Sequence, residues 1–252
     1  MNVNNFKMSK TNFQDLLNSG VHFGHLTRKW NPKMAPYIFM EKNGIHVIDL
    51  NKTLVKLQES CAALKHIAKS GRKIMFVATK KQAKETVSIN ASKINMPYIT
   101  ERWSGGLLTN FATIRKAIKK MNSIDKMETD GTIDTLSKRE RLQVSRTRSK
   151  LEKNLGSISS MNRLPAALFV VDIHREKIAV LEAKKLGIPT FAIVDTNSDP
   201  TLVEFPIPAN DDAQRSIEKI IEVVCDSINQ GLLERQQDKE SAKLKEKPAS
   251  VS

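Results

Sequence analysis

The 252 residues carry 41 Lys and Arg against 27 Asp and Glu, a formal net charge of +14 with the histidines neutral. That surplus points to a polyanionic partner through counterion release, RNA or DNA ahead of acidic lipid. At 40% hydrophobic residues the chain can bury a core, while no apolar run nears the roughly 20 residues of a membrane span and the start, Met1 to Gly20, has no apolar signal segment. A cytoplasmic protein with no membrane partner is expected. Cys61 and Cys225 lie far apart and form no metal-binding spacing, so they read as small buried hydrophobes.

In chain order, Tyr37–Met40, Asn43-Gly44 and Ile45–Ile48 read as a hairpin, because Asn-Gly suits a type I′ turn. Asp49 or Asn51 caps a helix running to about Lys69, closed by Gly71. Ile74–Ala78 is continuously apolar and reads as a buried strand. Helical spacing returns from Lys80 to Ile94, and Pro97 stops it. Ala167–Val171 is a strand, Arg175–Leu186 a helix, Thr190–Val194 a strand and Asp211–Asn229 a closing helix with Ile217, Ile220, Ile221 and Val224 on one face. Strands alternating with helices predict an α/β fold, a parallel sheet with flanking helices.

From about Thr113 to Ser160 the alternation breaks. Ile114, Ala117, Met121 and Ile124, then Val144, Leu151, Leu155 and Ile158, form two narrow apolar seams joined at Asp130-Gly131. Such seams predict an inserted antiparallel helical hairpin. The segment holds twelve basic residues against six acidic ones. The expected organisation is an α/β domain over 1–112 and 161–231, a hairpin insertion over 113–160 and a disordered charged tail over 232–252.

Four constellations carry candidate chemistry. Arg28, Lys29, Trp30 and Lys33 combine cations with a ring that either stacks on a base or packs in the core. Lys80 and Lys81 follow a strand and open a helix, an anion site without the glycines of a phosphate loop. Arg102 and Trp103 stand beside Gly105-Gly106, glycines that either admit close backbone approach or only let the chain cross to the hairpin. Finally, His25, Asp195 and Asp212 sit in segments that a doubly wound sheet brings together at one edge. One imidazole and two carboxylates suit zinc with a water in the fourth position; the alternative is a hydrogen-bonded pair with Asp212 capping its helix. No cofactor is required and zinc is the one candidate. These carboxylates and His25 also allow an α/β enzyme acting on a phosphorylated substrate, and the charge allows a free RNA chaperone.

The wording and order of several segments resemble the S-two family of bacterial small-subunit ribosomal proteins. They are Phe13-Gln-Asp-Leu-Leu-Asn-Ser-Gly20-Val-His-Phe-Gly24, Arg28-Lys-Trp-Asn-Pro-Lys-Met34, Arg102-Trp-Ser-Gly-Gly-Leu-Leu-Thr-Asn110, Pro165-Ala-Ala-Leu-Phe-Val-Val-Asp172, Ile193-Val-Asp-Thr-Asn-Ser-Asp-Pro200 and Asn210-Asp-Asp-Ala213. The resemblance spans about Asn12 to Gln230. It implies a flavodoxin-like sheet with a coiled-coil hairpin insertion, and a structural, non-enzymatic role in translation as a ribonucleoprotein of the small ribosomal subunit. It further implies rRNA binding near the head–body junction and contact with neighbouring ribosomal proteins, including the large first protein of the subunit, with no small-molecule substrate. Carried over by position, the RNA-binding candidates are Arg28, Lys29, Trp30, Lys33, Lys80, Lys81, Arg102 and Trp103, joined by Arg115 and Lys116 of the hairpin.

Overall fold

The computed structural model describes residues 12–245; residues 1–11 of the expected α/β range and 246–252 of the expected tail lie outside it. In chain order the elements begin α1 (Phe13–Asn18), β1 (Phe23–Leu26), β2 (Ile38–Lys42), β3 (Ile45–Ile48), α2 (Leu50–Lys69), β4 (Ile74–Val77) and α3 (Lys81–Lys93). They continue with β5 (Tyr98–Ile99), α4 (Phe111–Thr129), α5 (Lys138–Leu155), β6 (Ala167–Val171), α6 (Lys177–Lys185), β7 (Thr190–Val194), β8 (Phe205–Pro208) and α7 (Gln214–Lys245).

Strands β4 to β8 form one parallel sheet in the order β5-β4-β6-β7-β8. Counted from its own first strand the order is 2-1-3-4-5, the flavodoxin-like arrangement. Both faces are covered, which is why its inner strands are continuously apolar. Side chains alternate between two cores: Ile74 and Phe76 of β4 and Ala167 and Phe169 of β6 face α2, α3 and α7, whereas Met75, Val77, Leu168 and Val170 face α6 and the base of α4 and α5. Phe76 and Phe169 are register partners with ring centroids 5.4 Å apart. β8 carries Pro206 and Pro208, which a strand accepts at an edge, where ladder donors are not all needed.

A second sheet is antiparallel, ordered β1-β3-β2. Asn43 and Gly44 both take positive φ, 53° and 72°, as the predicted type I′ turn demands. Asp49 caps α2 through the Asn51 N–H at 3.0 Å, and Gly71 leaves the helix end at φ 78°.

The amino-terminal segment is held by a strand of its own, β1, paired with β3. One expectation needs correction. The chain beyond Gly231, expected to be disordered, continues α7 as helix to Lys245. Gly231 is no stop signal: a Cβ there would lie 2.4 Å from the Lys65 carbonyl oxygen and 3.1 Å from Ala68 Cβ. It is the point where α7 crosses α2 backbone to backbone. Past it, Lys65 Nζ reaches Glu234 at 2.6 Å and Lys69 Nζ reaches Asp238 at 3.2 Å, which fastens the polar extension to α2.

Between β5 and β6 the chain runs out along α4 and returns along α5. Ser137 and Glu140 form a capping box at the start of α5, and Arg148 Nε bonds Asp125 Oδ1 across the pair at 2.8 Å. Met121 and Ile124 are buried, whereas Ile118, Leu155 and Ile158 belong to the core beneath the sheet.

Candidate nucleic-acid interface and ion cluster

Parallel sheets of this order bind ligands outside the carboxyl ends of the strands, where the order reverses. Here that point lies between β4 and β6, and the chain fills it with its own ions. Lys80, just past β4, is only 9% exposed. Its Nζ lies 2.7 Å from Asp211 Oδ1, 2.6 Å from Asp212 Oδ1 and 3.6 Å from Asp172 Oδ2. Burial alone would lower the Lys80 pKa; the Asp211 carboxylate and its neighbours outweigh it and raise it. Asp211 is fully buried and pushed up to about 7, by desolvation first and then by Asp195 and Asp172, against the pull of Lys80.

Asp172 closes β6 at φ 67°, a left-handed conformation that Asp tolerates because its side chain can bond the local backbone. Its Oδ1 accepts from the His174 and Arg175 N–H groups at 3.0 and 3.1 Å. The turn aims Glu176 at the end of β4, where Oε1 accepts from the Thr79 N–H at 3.0 Å and from the Thr79 hydroxyl. Desolvation raises the Glu176 pKa despite those bonds.

β1 closes the other side. His25 Nδ1 lies 3.0 Å from Asp195 Oδ2 and Nε2 lies 3.2 Å from Asp212 Oδ2. Contact with Asp195 raises the His25 pKa over the opposing effect of burial, with Asp211 and Asp212 adding to it. The approach is tight: a Cβ on Gly24 would meet Thr196 Cγ2 at 2.6 Å. Thr196 in turn accepts from the His25 N–H at 2.8 Å. The imidazole thus stands between Asp195 and Asp212, on opposite edges of the ring. The donor groups that converge, within 4.8 Å of one another, are those of His25, Asp195 and Asp211. Asp211 thus joins the expected set as the third converging donor, while Asp212 keeps its contact with His25 Nε2 and both aspartates also pair with Lys80. His25 Nδ1 and Asp211 Oδ2 are both buried without an aligned hydrogen-bond partner.

The predicted RNA contacts divide. Lys80 is committed to carboxylates and is not free for a phosphate. Trp103 is 7% exposed in the core, its Nε1 donating to Glu182 Oε1 at 3.1 Å, so its ring offers no stacking face. Lys33 is exposed, with Nζ held by Asp199 Oδ2 at 2.6 Å. Arg28, Lys29, Lys81, Arg102, Arg115 and Lys116 are exposed. Trp30 is 40% exposed, with its ring 5.2 Å from that of His46. The turn after β1 is pinned to the parallel sheet by the Asn31 N–H donating to the Thr196 carbonyl at 2.8 Å. Arg28, Lys29, Lys81 and Arg102 therefore ring the carboxyl end of the parallel sheet.

Glu182 is the residue that the reading of single motifs missed as an organiser. From α6 it accepts from Trp103 Nε1 and the N–H groups of Gly106 (2.7 Å), Leu108 (3.0 Å) and Thr109 (3.1 Å). One buried carboxylate holds the whole Gly-Gly loop. The signal in the sequence was the loop itself, whose donors need an acceptor that lies 73 or more residues away.

The class these features define is a basic α/β scaffold, with its ligand crevice closed by internal ion pairs and its free cations on the surface. A model of the family described as Ribosomal protein S2 matches residues 16–231. The small ribosomal subunit proteins uS2 of Phocaeicola vulgatus and Flavobacterium psychrophilum are 65% and 66% identical to it, each over 92% of this chain and over 83% and 88% of their own lengths. That of Cytophaga hutchinsonii is 64% identical, covering 94% of this chain and 93% of its own. The chain belongs to the ribosomal protein S2 family. It is a structural, non-enzymatic component of the ribosome with a role in translation.

Burial would raise the Glu182 pKa, and the hydrogen bonds from Trp103, Thr109, Gly106 and Leu108 outweigh it and hold the carboxyl below its usual value. The stability this contributes is complete above the unfolded carboxylate pKa of about 4.3 and is lost as pH falls through the lower folded value. Glu182→Gln turns an amide N–H₂ toward donors and should destabilise the protein by about 2–4 kcal/mol at neutral pH. Urea melts from pH 7 to pH 3 check this: the variant should lose less stability than the wild type below about pH 4.3.

Proposed function

We propose that the chain binds small-subunit ribosomal RNA, near the junction of head and body, through the exposed cations at the carboxyl end of its parallel sheet. The observation that carries this is the gathering of Arg28, Lys29, Lys81 and Arg102, all exposed, from three chain-distant segments onto one end of the molecule. Phosphates set the position of a protein on RNA, and exposed cations are placed to meet them; Lys29 also faces Asp212, whose carboxyl it helps hold low. Trp30 beside this rim offers a half-exposed ring to an unpaired base. Arg115 and Lys116 extend the basic surface onto α4. The head–body placement rests on the family resemblance. So does contact with the large first protein of the subunit, for which an apolar groove lined by Phe13, Leu17, Phe39 and Met40 beside the amino-terminal sheet offers a docking face. Phe39 there is 70% exposed.

The rim predicts a specific salt response. Each phosphate contact contributes roughly 0.7–0.9 to the slope of log K against log salt. Arg28→Gln, Lys29→Gln, Lys81→Gln and Arg102→Gln together should flatten that slope for small-subunit RNA by about three units, with melting unchanged. A slope equal to that of the wild type would contradict the assignment.

A second reading concerns His25, Asp195 and Asp211. Their converging donors, with Asp211 Oδ2 buried and lacking a hydrogen-bond partner, suit one zinc ion completed by water. Its role would be to clamp β1 to the strand ends and present a rigid surface to a neighbour. Metal analysis of dialysed protein should find near-stoichiometric zinc, lost in His25→Ala. Wild-type protein without zinc would leave the ion pairs alone as the clamp.

A further inference from the structure

At the other end of the parallel sheet, beneath the amino ends of β4 and β6, a cleft of about 340 Å³ opens between the loop before β4 and the loop before β6. Arg72, Lys73 and Arg163 line it with Pro97, Met161 and Leu164, and no carboxylate does. The two loops are tied by the Ala166 N–H, which donates to the Lys73 carbonyl at 2.8 Å. Two of the cations are braced from behind: Arg72 Nε donates to Ser70 Oγ at 3.2 Å and Lys73 Nζ to the Asn95 carbonyl at 2.5 Å. Arg163 is exposed and has no hydrogen bond or ion pair among the described residues.

A fourth cation arrives from the helical extension of α7. The Arg235 guanidinium lies over Gly71, whose Cβ, if it had one, would fall 1.9 Å from Arg235 Cζ. Only glycine leaves room for it there. Glu234 and Asp238, the acidic residues nearest it in the same stretch, pair with Lys65 and Lys69. Two guanidinium groups and an ammonium thus line one concavity that has no acidic lining, and a third guanidinium lies over Gly71 at its edge.

We infer that this cleft is a second RNA site, holding a backbone phosphate between Arg72 and Arg163 with the attached sugar or base against Leu164 and Pro97. Guanidinium groups take phosphate oxygens in pairs, which ammonium groups do not. Leu164, 41% exposed, supplies an apolar wall for an unstacked nucleotide. The volume is near the lower end of small-ligand sites and suits one nucleotide unit better than a helix or a folded protein face. The site rests on the reading of the chain as an RNA-binding protein and lies at the opposite end of the sheet from the rim. The five-residue strands between them are roughly 16 Å long. The molecule would then hold two RNA segments apart at a fixed spacing, with the sheet as the strut.

The test is the full chain with Arg72→Gln, Lys73→Gln, Arg163→Gln and Arg235→Gln, titrated with small-subunit RNA across a salt series. The salt slope should fall by about three units and affinity at low salt at least tenfold, with the rim intact. In parallel, an isotope-labelled wild-type chain titrated with a uridine octamer should show amide shifts at Gly71–Lys73 and Asn162–Leu164. Arg163→Gln alone, at an exposed and unbonded side chain, covers the case in which the quadruple variant does not fold, and should lower the slope by roughly one unit. Wild-type protein that binds small-subunit RNA, paired with variants of unchanged slope, would overturn the cleft while leaving the rim standing. Wild-type protein that binds no small-subunit RNA would overturn the functional reading itself. Loop shifts produced by polyglutamate and not by the uridine octamer would overturn the RNA assignment in favour of an acidic protein segment.

Discussion

A single buried ammonium, Lys80 Nζ, lets three carboxylates from two different strand ends stand within reach of one another. Asp172 follows β6, and Asp211 and Asp212 follow β8; without a cation among them at least one would take up a proton or turn to solvent. Asp211 is already close to that limit, pushed up to about 7. His25 extends the same logic to β1, lying between Asp195 and Asp212. These charges add to the buried Leu16, Val21 and Met34 and to the Asn31–Thr196 backbone bond in fastening the amino-terminal segments to the parallel sheet.

This arrangement explains why an enzyme-like constellation belongs to a structural protein. Carboxylates, a histidine and a lysine at the reversal point of a doubly wound sheet are what many catalysts display. Here Lys80 and His25 pair with the carboxylates of the same cluster. The surplus positive charge is displaced outward instead. It lies on the rim at one end of the sheet, on the helical pair between β5 and β6, and around Gly71 at the other end.

Much of the fold was legible in the sequence because its signals are local. The Asn43-Gly44 turn, the Asp49 cap and the apolar runs of β4, β6 and β7 all appear where local chemistry puts them. The elements that escaped notice lack a local signal. β5 is two residues long, β8 alternates with proline, and β1 exists because β3 and Thr196 receive it. The polar composition beyond Gly231 suggests a disordered tail, whereas Gly231 is a helix crossing and the helix runs on to Lys245. The site divided on the same principle. Arg28, Lys29, Lys81 and Arg102 are exposed, as an RNA contact requires, whereas Lys80 and Trp103 are buried and bonded within the fold. Only tertiary structure tells which lysine faces water. That Asp211 converges on His25 and Asp195 while its neighbour Asp212 meets the far edge of the ring is finer still.

Lys80→Met separates the two roles that its charge could play. The ion cluster as described predicts a loss of about 3–5 kcal/mol, because the partners stay buried without their counter-charge. At a temperature where the variant remains folded, its salt slope for small-subunit RNA should equal that of the wild type. Melting left unchanged, together with a slope reduced by roughly one unit, would contradict the account and return Lys80 to the RNA surface.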